Sequence, residues 1–198
     1  MKFDPTRRSR PAAIQSLFVL IGLAVAACAP LPTTGAAASN DGCAGEVISA
    51  PPGFAEVTEQ SAETVMLLKA AIGEPGKGGL CNAKVFSAQR TVTVFRVYNH
   101  AVPATKYGSW WSLSPPKGPR DKYARDNDVC PEWSPLDAST SCVVRSGTIV
   151  VMGTGQSAVC ASPGTSLPVS LANQVYIPND VRANRVVVED CTADAAWP

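Results

Sequence analysis

Arg96 is the residue of this 198-residue chain with the most chemistry to account for. It stands in the run Thr91 to Tyr98, TVTVFRVY, where every other position but two threonines is apolar or aromatic. Period-two alternation puts Val92, Val94, Arg96 and Tyr98 on one face of a strand and Thr93, Phe95 and Val97 on the other. With apolar groups on both faces, both are expected to be covered. A guanidinium under such cover needs an anion, either a carboxylate of the protein or a phosphate of a ligand. The segment KYGSWWSLSPPKGPR, residues 106–120, follows. In an extended chain Trp110 and Trp111 point to opposite sides, so one is expected in the core and the other free to stack on a flat ring, with Ser112 directly after them. Arg120 and Arg125 fall in the next stretch, read as a loop. There each guanidinium either grips a pyrophosphate through paired N–H donors or pairs with Asp121, Asp126 or Asp128. Gln174 is read as opening a strand beside Tyr176, where a side chain can face a cleft.

The familiar catalytic constellations are weak. No GxSxG surrounds a serine, and His100, the single histidine, reads as a polar loop residue. No CxxC pair occurs, so no structural metal is expected. The glycine-rich run at 73–81 lacks the Gly-Lys-Ser/Thr ending of a phosphate loop and reads as a linker. Asp126-Asn127-Asp128 lacks the downstream ligands of a calcium loop and reads as a turn.

Seven cysteines are present. Cys28 closes a run that begins with basic Lys2, Arg7, Arg8 and Arg10 and continues apolar from Ile14 to Ala27, ending Val-Ala-Ala-Cys. That layout resembles a bacterial lipoprotein signal, with residues 1–27 removed and Cys28 lipidated. The apolar stretch is shorter than the roughly 20 residues of a transmembrane helix. Ala29 after Cys28 points to the outer membrane. Six cysteines remain, Cys43, Cys81, Cys130, Cys142, Cys160 and Cys191, an even number that suits three disulfides in an oxidising envelope compartment, with pairing left open. Residues 28–198 keep 13 basic and 15 acidic side chains with no basic stripe, which excludes nucleic acid as a partner.

Several elements must position these groups. Residues 28–42, small and proline-containing, read as a tether, and 43–198 as one globular domain. Val57, Val65, Leu68 and Ile72 at helical spacing predict an N-terminal helix within 54–72, closed by Gly73. Short β runs then follow at 84–88, 91–98, 142–145, 148–152, 174–177 and 185–189, with Ser146-Gly147 as a hairpin signal between the third and fourth. The expected fold is α+β and β-dominated: the N-terminal helix, then a compact, mostly antiparallel, disulfide-stabilised β domain.

Taken in order, VFRVYN at 94–99, YGSWWSLSPP at 107–116, Arg120, GTIVVMGTGQSA at 147–158 and NQVYIPND at 173–180 resemble the NAD-cleaving toxin domains. The pattern is similar to that of the tuberculosis necrotizing toxin family, a reduced relative of the ADP-ribosyltransferase fold. The resemblance spans roughly residues 91–180. In place of the family's glycine-rich run before the glutamine stands Ser170-Leu171-Ala172-Asn173. It implies an ADP-ribosyltransferase-like fold and cleavage of the nicotinamide–ribose bond, with NAD or a related nucleotide as substrate and no other cofactor. It implies that Gln174 orients the ribose or water, that Arg96 or Arg120 clamps pyrophosphate, and that Trp110 or Trp111 stacks on a ring, with Ser112 and Tyr176 beside them. The competing expectation is a non-enzymatic envelope lipoprotein, a binding or structural module. Convergence of Arg96, a tryptophan and Gln174 on one cleft separates the two.

Overall fold

The computed structural model describes residues 42–198. The leader, the Cys28 lipidation site and all but the last residue of the tether lie outside them. The described chain runs β1 (Phe54–Glu56), α1 (Ala62–Ala71), β2 (Leu80–Ala88), β3 (Val92–Tyr98), a 3-10 turn (Pro103–Tyr107) and β4 (Trp110–Trp111). It continues with α2 (Arg120–Asp126), β5 (Ala138–Val144), β6 (Ile149–Gly155), β7 (Ala158–Val159), β8 (Ser166–Leu167), β9 (Ser170–Tyr176) and β10 (Ala195–Ala196). The fold is therefore β-dominated, with antiparallel pairing throughout the named strands.

Five strands form one sheet in the order β1-β2-β6-β9-β4, and three form a second in the order β10-β5-β3. Strand alternation gives each layer its place. Val150 and Met152 of β6 join Phe86 and Ala88 of β2 and Val94, Cys142 and Val144 of the second sheet in the main core. Val151, one residue out of phase, packs with Val85 and Leu80 against Leu67 and Ala71 of α1. The five-stranded sheet thus has apolar cover on both faces, the helix on one and the smaller sheet on the other. Phe86, Val150, Val151 and Met152 are fully buried, each contributing about 1.5–3 kcal/mol of transfer free energy.

Several expectations are corrected here. The helix is shorter than 54–72, because Phe54–Glu56 pairs with Phe86–Ala88 as a strand and Ser61 starts the helix as an N-cap in a capping box with Thr64. The domain's first element is therefore that strand. The buried helical face is Thr64, Leu67 and Ala71, while Val65 is half exposed. The Ser146-Gly147 turn, with Gly147 at φ +87°, closes no hairpin, since β5 pairs with β3 and β10 whereas β6 pairs with β2 and β9. It carries the chain from one sheet to the other, and the Gly147 N–H is taken by the Ala88 carbonyl. Residues 185–189 make only isolated bridges, Arg185 with Asp180 and Glu189 with Val143, and the stretch read as a loop contains α2.

The six cysteines form three disulfides: Cys43–Cys81, Cys130–Cys160 and Cys142–Cys191, with Cα separations of 5.5, 5.4 and 4.0 Å. They fasten the N-terminal segment to β2, the chain after α2 to the end of β7, and β5 to the C-terminal tail. Such bonds belong to an oxidising, extracytoplasmic compartment. Among the described residues no helix is long and apolar enough to cross a membrane.

Cys142 and Cys191 close a loop of 49 residues, for which the chain-entropy relation gives about 4 kcal/mol of stabilisation. Replacing both by alanine is expected to lower the melting temperature by about 8–15 °C in a calorimetric scan. A drop of under 2 °C would show that the noncovalent contacts of the tail suffice to hold it.

Candidate functional site

Arg96 lies on β3 where that strand runs beside the 3-10 turn and β4. Its Nε donates to the Thr105 carbonyl at 2.7 Å, its Nη1 donates to the Trp110 carbonyl, and the guanidinium carbon sits 5.9 Å from the centroid of the Trp111 ring. Among the described residues no carboxylate pairs with it. Burial therefore lowers its pKa to about 10, with Tyr123 and Tyr98 opposing. The guanidinium can lie this close to the chain only because residue 108 is glycine. A Cβ there would stand 2.2 Å from Arg96 Nη2. Gly108 thus serves as the floor beneath that charge.

Trp110 and Trp111 divide as their alternation predicts. Trp111 is buried in the main core and its indole N–H donates to the Gly108 carbonyl at 2.7 Å, whereas Trp110 is half-buried and packs on the helix side of the sheet. Trp110 pairs in register with Tyr176 of β9 and meets its ring edge-on at 5.1 Å.

A cleft of about 300 Å³ opens between β3, β4, β9 and the segment after α2. Arg96, Trp110, Trp111 and Gln174 all line it. Gln174 sits in the second half of β9, opposite Gly153, and not at the strand's opening, because β9 pairs with β6 from Ser170 onward. It is 6 % exposed, and its Nε2 donates to the Asn127 carbonyl at 3.2 Å. The structure does not bring the other candidates to this cleft. Arg120, at the start of α2, donates through Nη2 to the Trp197 carbonyl at 2.7 Å and pins the C-terminus. Arg125 pairs with Asp121 at 2.9 Å on the surface of α2. Ser112 lines a separate hollow of about 150 Å³, which also touches Gln174, and Tyr176 stands behind Trp110. His100 is an exposed loop residue whose Nδ1 is 3.8 Å from Asp194.

The lining residues that the sequence did not place at a site include Tyr123 from α2, and Asn127, Asp128 and Trp133 beyond it. Asp128 is the notable one. It adopts φ +54°, is 3 % exposed, and neither carboxylate oxygen has a hydrogen-bond partner among the described residues. Burial raises its pKa to about 7. Its carboxylate reaches in over Gly155 of β6, where a Cβ would stand 1.9 Å from Asp128 Oδ2 and 3.1 Å from Gln174 Nε2. The aspartate and the glutamine thus share one patch of the cleft floor. The only sequence signal was an acidic group in a turn tripeptide, which does not distinguish it from Asp126. Cys130, Glu132 and Cys160 also cluster, but both sulfurs are committed to a disulfide.

The site is an aromatic-walled cleft on two antiparallel sheets, holding one guanidinium, one buried carboxyl group and one buried amide. No family model matches the chain, and no curated protein or solved structure matches it.

Between the ordinary aspartate value and about 7, the folded protein binds one proton that the unfolded chain does not. Stability contributed at this site is therefore present at low pH and lost as pH rises through that window. Asp128→Asn is expected to match wild type near pH 4 and to melt several degrees higher at pH 8, measured by thermal denaturation across pH. A variant less stable than wild type at pH 8 would mean that the carboxylate has an anion-stabilising environment.

Proposed function

We propose that the cleft binds NAD or a related nucleotide and cleaves its nicotinamide–ribose bond, releasing nicotinamide and ADP-ribose. The observation that carries this reading is convergence. Arg96, Trp110, Trp111 and Gln174, spread over 79 positions of the chain, line one cleft, as the resemblance to NAD-cleaving toxin domains requires. The volume lies at the lower end of the range for small-molecule sites, suiting the nicotinamide ring and its sugar. A shallower hollow of about 370 Å³ shares Gly79, Trp110 and Trp133 with the cleft and is also lined by Lys77, which gives the phosphates a place to continue.

In this reading Gln174, held by the Asn127 carbonyl, presents its amide to the ribose hydroxyls, and the Trp110 edge of the cleft stacks on the ring. Arg96 has two of its donor nitrogens engaged by carbonyls, so it orders the wall and supplies positive potential more than it grips pyrophosphate. The cleaved bond already carries a cationic leaving group. The site has chiefly to hold the near-attack geometry in a dry pocket. Lipid attachment at Cys28 in the envelope, with the outer membrane as its address, belongs to the same proposal.

A second reading, a non-catalytic binding module, is favoured by that same engagement of Arg96, which leaves the guanidinium built into the fold. Nicotinamide release from NAD by the purified, oxidised protein separates the two. Gln174→Ala is expected to lose at least about 100-fold in kcat/KM while keeping its melting temperature within a few degrees. Arg96→Lys is expected to lose both activity and stability, because an ammonium cannot serve the Thr105 and Trp110 carbonyls as the planar fork does. Full activity in Gln174→Ala would move the reaction out of this cleft. No release by folded wild type would leave the binding module.

A further inference from the structure

The proposed reaction needs a group that Gln174 cannot supply. Hydrolysis places the oxygen of water on the ribose C1′, and the proton it sheds needs an acceptor; an amide is not a base at neutral pH. The cleft floor holds one carboxyl group, Asp128, nine-tenths and more buried, without a hydrogen-bond partner among the described residues, beside the Gln174 amide over Gly155. A buried polar group left unpaired is costly, and such groups concentrate where a ligand completes them.

Resting on the NAD reading, we propose that Asp128 is the catalytic base of the cleft, and that its carboxylate also faces the positive charge that develops on the ribose. In the step, the C1′–N bond breaks and its electron pair passes to the nicotinamide ring nitrogen, which neutralises the pyridinium. Water oxygen bonds to C1′, and one water proton moves to an Asp128 carboxylate oxygen and from there to solvent. The products are neutral nicotinamide, ADP-ribose and one proton. An anion at this place stabilises an oxocarbenium-like transition state more than it does the substrate, the requirement for a rate effect.

The charged and titratable groups around the cleft are few. From β3 come Arg96 and Tyr98, and from α2 comes Tyr123, whose hydroxyl burial holds above its usual value. From β6 and β9 the neighbours over Asp128 are Gly155 and Gln174, neither of which titrates. On α2 itself Asp126 and Asp121 are paired outward with Lys122 and Arg125. Asp128 is therefore the group set to change charge near neutrality within the cleft.

The experiment is the pH profile of nicotinamide release from NAD by the oxidised full chain, for wild type, Asp128→Asn and Asp128→Glu. Wild-type kcat/KM is expected to rise with pH through about 7 and then level. Asp128→Asn should lose 100-fold or more in kcat with KM within a few-fold, lose that rise, and fold at least as stably as wild type. Asp128→Glu should recover part of the rate with a displaced rise. A carboxyl that merely orders the floor would change KM and leave the pH profile in place. Gln174-dependent release with an unchanged Asp128→Asn profile overturns the role of Asp128 alone, whereas no release by folded wild type overturns it together with the NAD reading.

Discussion

Much of the molecule is arranged around one buried guanidinium. Arg96 leaves β3, crosses the backbone at Gly108 and reaches the carbonyls of Thr105 and Trp110 and the ring of Trp111. Those contacts bind the smaller sheet, the 3-10 turn and the edge strand of the larger sheet to one another. Because the guanidinium is too basic to discharge at any ordinary pH, its desolvation must be offset by neighbours fixed in place. The fork ties the turn at 103–107 to β4, while paired backbone bonds between Phe95 and Ser112 hold β3 beside the end of β4.

The opposite end of the cleft follows a different electrostatic rule. Asp128 can shed its charge, so its environment needs no fixed donor, and it has none among the described residues. The two ionisable groups are not paired with each other, although they line the same hollow. One is a permanent cation built into the wall, and the other is an acid whose charge depends on what occupies the space before it. A ligand carrying both negative and positive charge can meet each without displacing a protein ion pair.

Legibility from sequence followed the range of the physics. Alternation is local, so β3 and the division of Trp110 from Trp111 were readable, as was Arg96 as an anomaly. The even number of thiols marked a disulfide framework, but pairing depends on which strands come together, and that was not readable. Ser146-Gly147 misled because a positive-φ glycine specifies a reversal of the chain without specifying whether the arms share a sheet. The short helix α2 was missed since Pro119 and the charged run 120–126 carry no apolar period; its Tyr123 packs edge-on against Trp197. Asp128 was legible only as a turn residue or a surface ion-pair partner. Its burial comes from Gly155, 27 residues later, whose missing side chain makes the room.

The Cys130–Cys160 bridge has a consequence for timing. Cys130 stands two residues after Asp128, and the chain from Asn127 to Leu136 forms one wall of the cleft. In a reducing cytosol that wall lacks its covalent anchor and rests on noncovalent contacts alone. Completion of the cavity wall is therefore coupled to the oxidising compartment in which the bridge forms.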